Sequence, residues 1–206
     1  MATHAKGERV RRWPLLVVAA IVVLLLWAGL RSINRRPFPG ETTPDGAYLR
    51  IVMAIGEQRV RDAFPYLETE AQWASYTIRD VRKKACDRVR ASYPADQQKA
   101  LLDGWKEEAD APDGADVFAR LAEHRGWIAR LERDLSGTAG VDIQGERATV
   151  VTGRGTRYPF RRRENGIWGL TVFTAELAAE AERASRDLEV VDRAATDYDN
   201  ARATGR

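Results

Sequence analysis

The sequence predicts an α+β domain behind an N-terminal transmembrane helix. Several helices pack on a three- to four-stranded antiparallel meander, and a long C-terminal helix closes the chain. Three observations predict it. Residues Trp13 to Leu30 form an unbroken apolar stretch. Between Tyr48 and Leu135 the apolar residues recur at helical spacing. From Gly137 to Phe173 they alternate with polar residues, and Asn165-Gly166 marks a hairpin turn.

The apolar stretch, WPLLVVAAIVVLLLWAGL, holds eighteen residues, eleven of them Leu, Ile or Val. At about 1.5 Å per residue a helix of that length matches the hydrocarbon core of a bilayer, roughly 30 Å thick. Trp13 and Trp27 stand near its ends, where indole rings favour the headgroup level, and Leu24 and Leu30 belong to its apolar run. Pro14 falls at the first helical position, where a missing N–H costs nothing. A cleaved signal peptide needs small residues before the cut. A cut after Ala28 puts Leu26 two positions upstream, and a cut after Gly29 puts Trp27 there. The stretch therefore reads as an uncleaved signal-anchor. Lys6, Arg9, Arg11 and Arg12 precede it and Arg31, Arg35 and Arg36 follow. That bias places the N-terminus in the cytoplasm and the large domain on the extracytoplasmic side.

The formal charge of +3 belongs to these flanks. Residues 1–36 carry seven Lys or Arg and one Glu, leaving 26 basic and 29 acidic residues from Pro37 onward. Basic flanks suit anionic lipid heads. A nucleic-acid-binding domain would keep a positive excess of its own, so no nucleic acid is expected as a partner. Cys86, the one cysteine, excludes an intrachain disulfide and reads as a small core residue.

The organisation that follows is a basic tail over 1–12, the anchor over 13–30, a Pro/Gly-rich spacer over 31–46, the α+β domain over 47–173, and a C-terminal helix and tail over 174–206. Thr43-Pro44 signals a helix start, and Tyr48, Ile51, Val52 and Ile55 give that helix its apolar side. Gly56 interrupts it, and Pro65 predicts a second break. A helix over about Glu70 to Ser92 carries Ala74, Ile78, Val81, Ala85 and Val89 on one face. Tyr93-Pro94 ends it, and a third helix runs from about Ala95 to Ala109. A fourth spans roughly Ala115 to Leu135, with Gly137 placed to cap it. Strands follow around Val141 and Ile143, Ala148 and Val150, Tyr158 and Phe160, and Ile167 to Phe173. Thr174 is placed to cap a closing helix reaching about Asn200.

The run GERATVVT followed by RYPFRRRENGIWGLTVF resembles the sheet of the nuclear transport factor 2-like (cystatin-like cone) superfamily. There a charged residue, Asn or Gly, an aliphatic residue and Trp lead into the last strand, here Glu164 to Trp168. GAYLRIVMAIGEQRVRDAFPYL is similar to the opening helix pair of such domains. The resemblance covers about residues 44–173 and implies helices on a curved antiparallel sheet. Members include isomerases, dehydratases, transport adaptors and pocketless interaction modules, so the fold does not select a function.

No catalytic constellation is visible, and no cofactor or metal is implied. His124 is the only histidine of the domain, and VTGRGTR lacks the Gly-Lys-Ser/Thr ending of a phosphate loop. Asp103, Glu107, Glu108, Asp110, Asp113 and Asp116 read as a solvated acidic stretch. Arg147, Arg154, Arg157, Arg161, Arg162 and Arg163 crowd the strand region. Of these, Arg154, Arg157, Arg161, Arg162 and Arg163 form a candidate face for an anionic partner, either lipid headgroups or an acidic protein. The same arginines could instead pair with the acidic stretch or the closing helix. In that helix Leu177, Ala181, Ala184, Leu188, Val191, Ala195 and Tyr198 recur at steps of four and three, a heptad seam. About 27 residues make a helix roughly 40 Å long, so its second half, with Leu188, Val191, Ala195 and Tyr198, is expected to project toward a partner helix or a second copy. The expected function is a single-pass, membrane-anchored binding or scaffolding module, held in the lipid bilayer through 13–30. The alternative is a tethered enzyme of the cone-like fold using Asp and Tyr as acid and base.

Overall fold

The computed structural model describes residues 21–23, 38–134 and 136–205. Ile21, Val22 and Val23 are helical and exposed. The other residues of the predicted anchor, Trp13, Pro14, Leu24, Trp27 and Leu30 among them, lie outside the described residues. Among the described residues no helix is long and apolar enough to cross a membrane. The chain divides into two units, Met1–Phe38 and Pro39–Arg206, and the α+β fold is built in the second.

Helix α1 (Pro44–Gly56) begins at the predicted signal: the Thr43 hydroxyl accepts from the Gly46 N–H at 3.2 Å, and Pro44 takes the first turn. A 3-10 helix, Val60–Tyr66, absorbs Pro65. Helices α2 (Thr69–Ser92) and α3 (Ala95–Ala109) follow. The single helix expected over 115–135 is two, α4 (Gly114–His124) and α5 (Trp127–Glu132). Gly126 sits between them at φ 67°, a left-handed conformation that no α-helix continues through. Helix α5 thus stops well before Gly137, which does not cap it.

Strands β1 (Thr138–Gln144), β2 (Arg147–Thr152), β3 (Arg157–Arg162) and β4 (Trp168–Leu170) form one antiparallel sheet in the order 1-2-3-4. At the last hairpin Gly166 N–H donates to the Arg163 carbonyl at 2.9 Å and the Asn165 side chain accepts from Ile167 N–H at 3.1 Å, placing the turn on the expected dipeptide. The alternation turns Ala148, Val150, Tyr158, Phe160, Trp168 and Leu170 inward, where they meet α1, α4 and the 3-10 helix. Aromatic rings close this core: Trp127 stacks on Phe173 at 4.9 Å, and Phe118 lies 5.8 Å from Phe173. Phe173 has left the strand pattern and takes the cap position of the closing helix, α6 (Thr174–Thr204). Thr174 does not cap that helix; its hydroxyl donates to Glu68 Oε2 at 2.7 Å.

The expected projection of α6 does not occur. Helices α2 and α6 run side by side in parallel: Glu68 meets Thr174, Arg82 meets Asp187, and the rings of Tyr93 and Tyr198 lie 5.0 Å apart. The buried stripe of α2 passes through Ala71, Ser75, Ile78, Arg82, Ala85, Val89 and Ser92, which are themselves spaced by fours and threes. Two heptad seams therefore face each other within one chain. Val191 and Ala195 are 2% and 0% exposed, and Leu188 and Tyr198 are half-buried. The small alanines that suggested a weak seam let two helices approach closely. Polar contacts lock the far end, where Arg88 pairs with Asp192 and Asp199 and the Ser92 hydroxyl donates to Asp199 at 3.0 Å.

One close approach fixes the sheet to the helices. The backbone of Leu67 and Glu68 crosses β4 as a strap, with Glu68 N–H donating to the Leu170 carbonyl at 3.1 Å. A Cβ on Gly169 would lie 2.6 Å from Glu68 Cα and 2.8 Å from the Leu67 carbonyl oxygen. Both are backbone atoms that cannot swing away. Gly169→Ala should therefore lower stability by roughly 1–3 kcal/mol or more, read as a shifted urea midpoint with unchanged slope. Wild-type stability would show that the strap yields.

Candidate anion-binding site

The outward-facing positions of the sheet carry the arginines. Register sets Arg147 opposite Arg161 and Thr149 opposite Pro159, with Arg157 further along β3 on the same face. Like charges directly opposite in a sheet repel. Arg161 is relieved by the strap: its Nη1 lies 2.8 Å from Glu68 Oε1 and 3.5 Å from Glu70 Oε1. Glu68 is 4% exposed and is held from its other oxygen by Thr174. The distance to Arg161 is that of a strong ion pair, although Glu68 Oε1 lacks a well-aligned hydrogen bond. Arg147 and Arg157 have no such relief. Among the described residues neither side chain forms a hydrogen bond or an ion pair, and the same holds for the side chain of Arg162.

Arg147, Arg157 and Arg161 line an open cleft of about 440 Å³ over Thr149 and Pro159, together with Asp142, Gln144 and Glu68. A second cleft of about 480 Å³ shares Glu68 and Arg161 and extends past Arg162 to Trp73, whose ring is 68% exposed. Of the five predicted arginines, Arg157 and Arg161 thus meet in one cleft, and Arg161, Arg162 and Arg163 line its neighbour. Arg163 is at the same time tied into the fold. It donates to the Pro65 carbonyl at 2.7 Å and to Thr69 Oγ1 at 3.2 Å, and burial pulls its pKa below the usual guanidinium value. Arg154 donates to the Arg133 carbonyl at the other end of the sheet.

The arginines' partners differ from both groups that the sequence suggested. The acidic stretch is engaged elsewhere, Glu108 with Arg82 and Asp113 and Asp116 with Arg61. Glu68 was missed by sequence reading. A carboxylate just ahead of a helix reads as a first-turn acid, and only the crossing at Gly169 brings it to β3.

An Asp beside a Tyr does occur, between α1 and the sheet. The Tyr48 and Tyr158 rings are 5.5 Å apart, and Tyr48 donates to the Ser136 carbonyl at 3.0 Å. Burial first, and the adjacent Asp134 carboxylate second, push the Tyr158 phenol above its ordinary pKa. Both rings are buried, 4% and 7% exposed, so the arrangement ties Asp134 and Ser136 to the core and keeps the phenol protonated. His124 is exposed and 3.8 Å from Glu107. Among the described residues no group of three or more His, Cys, Asp or Glu side chains converges as a metal site. Cys86 is fully buried, and burial raises its thiol pKa, as befits a packed residue rather than a nucleophile.

In comparison with known proteins, no family model, no curated protein and no solved structure matches the chain.

Proposed function

We propose that the protein is a single-pass, membrane-anchored binding or scaffolding module, tethered through residues 13–30 with its α+β domain on the extracytoplasmic side. Its sheet face receives an anionic partner. The observation that carries this reading is the pair of guanidiniums, Arg147 and Arg157, without an ion-pair partner among the described residues, beside an Arg161 already paired with Glu68 in one open cleft. An incoming carboxylate or phosphate would give Arg147 and Arg157 charge-assisted hydrogen bonds. The anchor is supported by the length, aliphatic content and Trp-flanked ends of the apolar stretch. Kinship with nuclear transport factor 2-like domains belongs to the same proposal, supported by helices preceding an antiparallel meander.

Two measurements on the full chain test it. Val18→Arg with Leu24→Arg should cost about 5–7 kcal/mol of insertion and release the protein from membranes in an alkaline wash; retention would refute the single anchor. In detergent micelles the chain should bind a fluorescent polyglutamate peptide in a salt-sensitive way. Arg147→Glu with Arg157→Glu should weaken that binding at least about tenfold, one ion pair's worth or more, with the fold intact by circular dichroism. Equal binding by the variant would sink the anion-receptive reading.

A further inference from the structure

The cleft opens onto the free edge of the sheet. Strand β1 is a seven-residue edge strand, exposed along nearly its whole length, and its outer side has no neighbour among the described residues. Natural edges are commonly guarded by Lys, Pro or a covering segment. TAGVDIQ has neither residue; what protection it has is one charged side chain, Asp142, and a register shift between Thr138 and Gly140 at its start, which leaves Val141 to Gln144 regular.

The hydrogen-bonding sense of that edge follows from the ladder. Glu146 accepts through its carbonyl from Arg162 N–H at 2.8 Å. By antiparallel alternation Arg147, Thr149 and Val151 then turn their peptide groups to β1, and their partners Gln144, Asp142 and Gly140 turn back to β2. The N–H and C=O groups of Val141 and Ile143 are left at the open edge. Their side chains share the face of Val150 and Ala148 but stay 39% and 54% exposed, because the helical layer does not extend over them. The edge thus offers unpaired backbone, two uncovered apolar side chains on one face, and on the other a cleft whose β1 side is lined by Asp142 and Gln144, with Arg147 and Arg157 on β2 and β3 beyond them.

We infer that the partner is an extended acidic segment of another protein that adds to β1 as a fifth strand. Its apolar side chains cover Val141 and Ile143, and its alternate acidic side chains point to the Arg147–Arg157 cleft. This rests on the anion-receptive reading above and supplies its missing half. Charge alone would accept any polyanion, whereas strand addition demands period-two alternation and a free peptide backbone.

The test uses the full chain in micelles and a fluorescent peptide of alternating Val and Glu. Binding should weaken at least tenfold when the peptide is N-methylated at every second residue, since that blocks strand pairing without changing charge. Ile143→Pro should weaken it comparably, because the lost N–H is not one β2 uses and proline is tolerated on an edge. Polyglutamate binding should be indifferent to both changes and sensitive to Arg147→Glu. If the methylated peptide binds as well as the parent, strand addition is overturned while the anion-receptive face stands. If neither peptide binds, both fall. If Ile143→Pro instead abolishes self-association of the free chain and leaves peptide binding unchanged, the edge pairs with a second copy and the inference is wrong.

Discussion

Val191→Asp should lower stability by roughly 3–5 kcal/mol, because it places an unpaired carboxylate in a packed apolar seam. In a domain of this size that corresponds to a fall in Tm on the order of 10 °C. Val191 is 2% exposed, and Ala85 and Val89, on the facing stripe of α2, are fully buried. The basic groups nearest the seam are already engaged, Arg82 with Glu108 and Asp187 and Arg88 with Asp192 and Asp199. Scanning fluorimetry would read the effect. An unchanged Tm with lost self-association would mean that the second half of α6 does project, as the isolated helix pattern suggests. The neighbouring Val190 is the control: 57% exposed on the same helix, it should accept Asp at little cost.

Arg82→Ala should be comparably costly, about 3–5 kcal/mol. Arg82 is 4% exposed inside the α2 seam, with Nε 3.1 Å from Glu108 Oε2, Nη1 2.6 Å from Asp187 Oδ2 and its guanidinium 5.0 Å from the Trp105 ring centroid. Truncation would strand Glu108 with its charge largely desolvated. Burial already holds the Glu108 carboxyl above its ordinary value of 4.5, against the opposing pull of Arg82. A carboxyl whose folded pKa is raised favours the folded state at pH below its unfolded value, and that contribution is lost as pH rises through the folded value. Removing Arg82 raises the folded value further. The penalty of Arg82→Ala should therefore be smaller near pH 4 than near pH 7, about where carboxylates titrate, when urea unfolding is compared at the two. Adding Glu108→Gln should recover part of the loss at neutral pH. A penalty that is the same at both pH values would assign Arg82 a packing role through its stem and Trp105 instead.

What the sequence by itself determined was whatever is written in short-range periodicity. The Thr43-Pro44 start of α1, the extent of α3, the Asn165-Gly166 turn and an antiparallel meander of three or four strands all depend on residues within a few positions of one another. Steric and hydrogen-bonding preferences act at that range. The heptad on α6 was equally legible as a pattern, from Leu177 to Tyr198. Its partner was legible only in part: Ile78, Ala85 and Val89 lie on the apolar face read for α2, but the matching stripe also runs through Ser75, Arg82 and Ser92, whose polarity hides its full length from a count of apolar residues. Arg82 and Asp187 are 105 positions apart, and Glu68 and Thr174 are 106. Only the tertiary structure decided that the seam closes on itself, that Arg161 is neutralised by Glu68 from the strap over Gly169, and that Arg147 and Arg157 form no ion pair among the described residues. Charge pairing and burial depend on which distant surfaces meet. Local spacing fixes the face a side chain occupies, and the fold fixes what that face is set against.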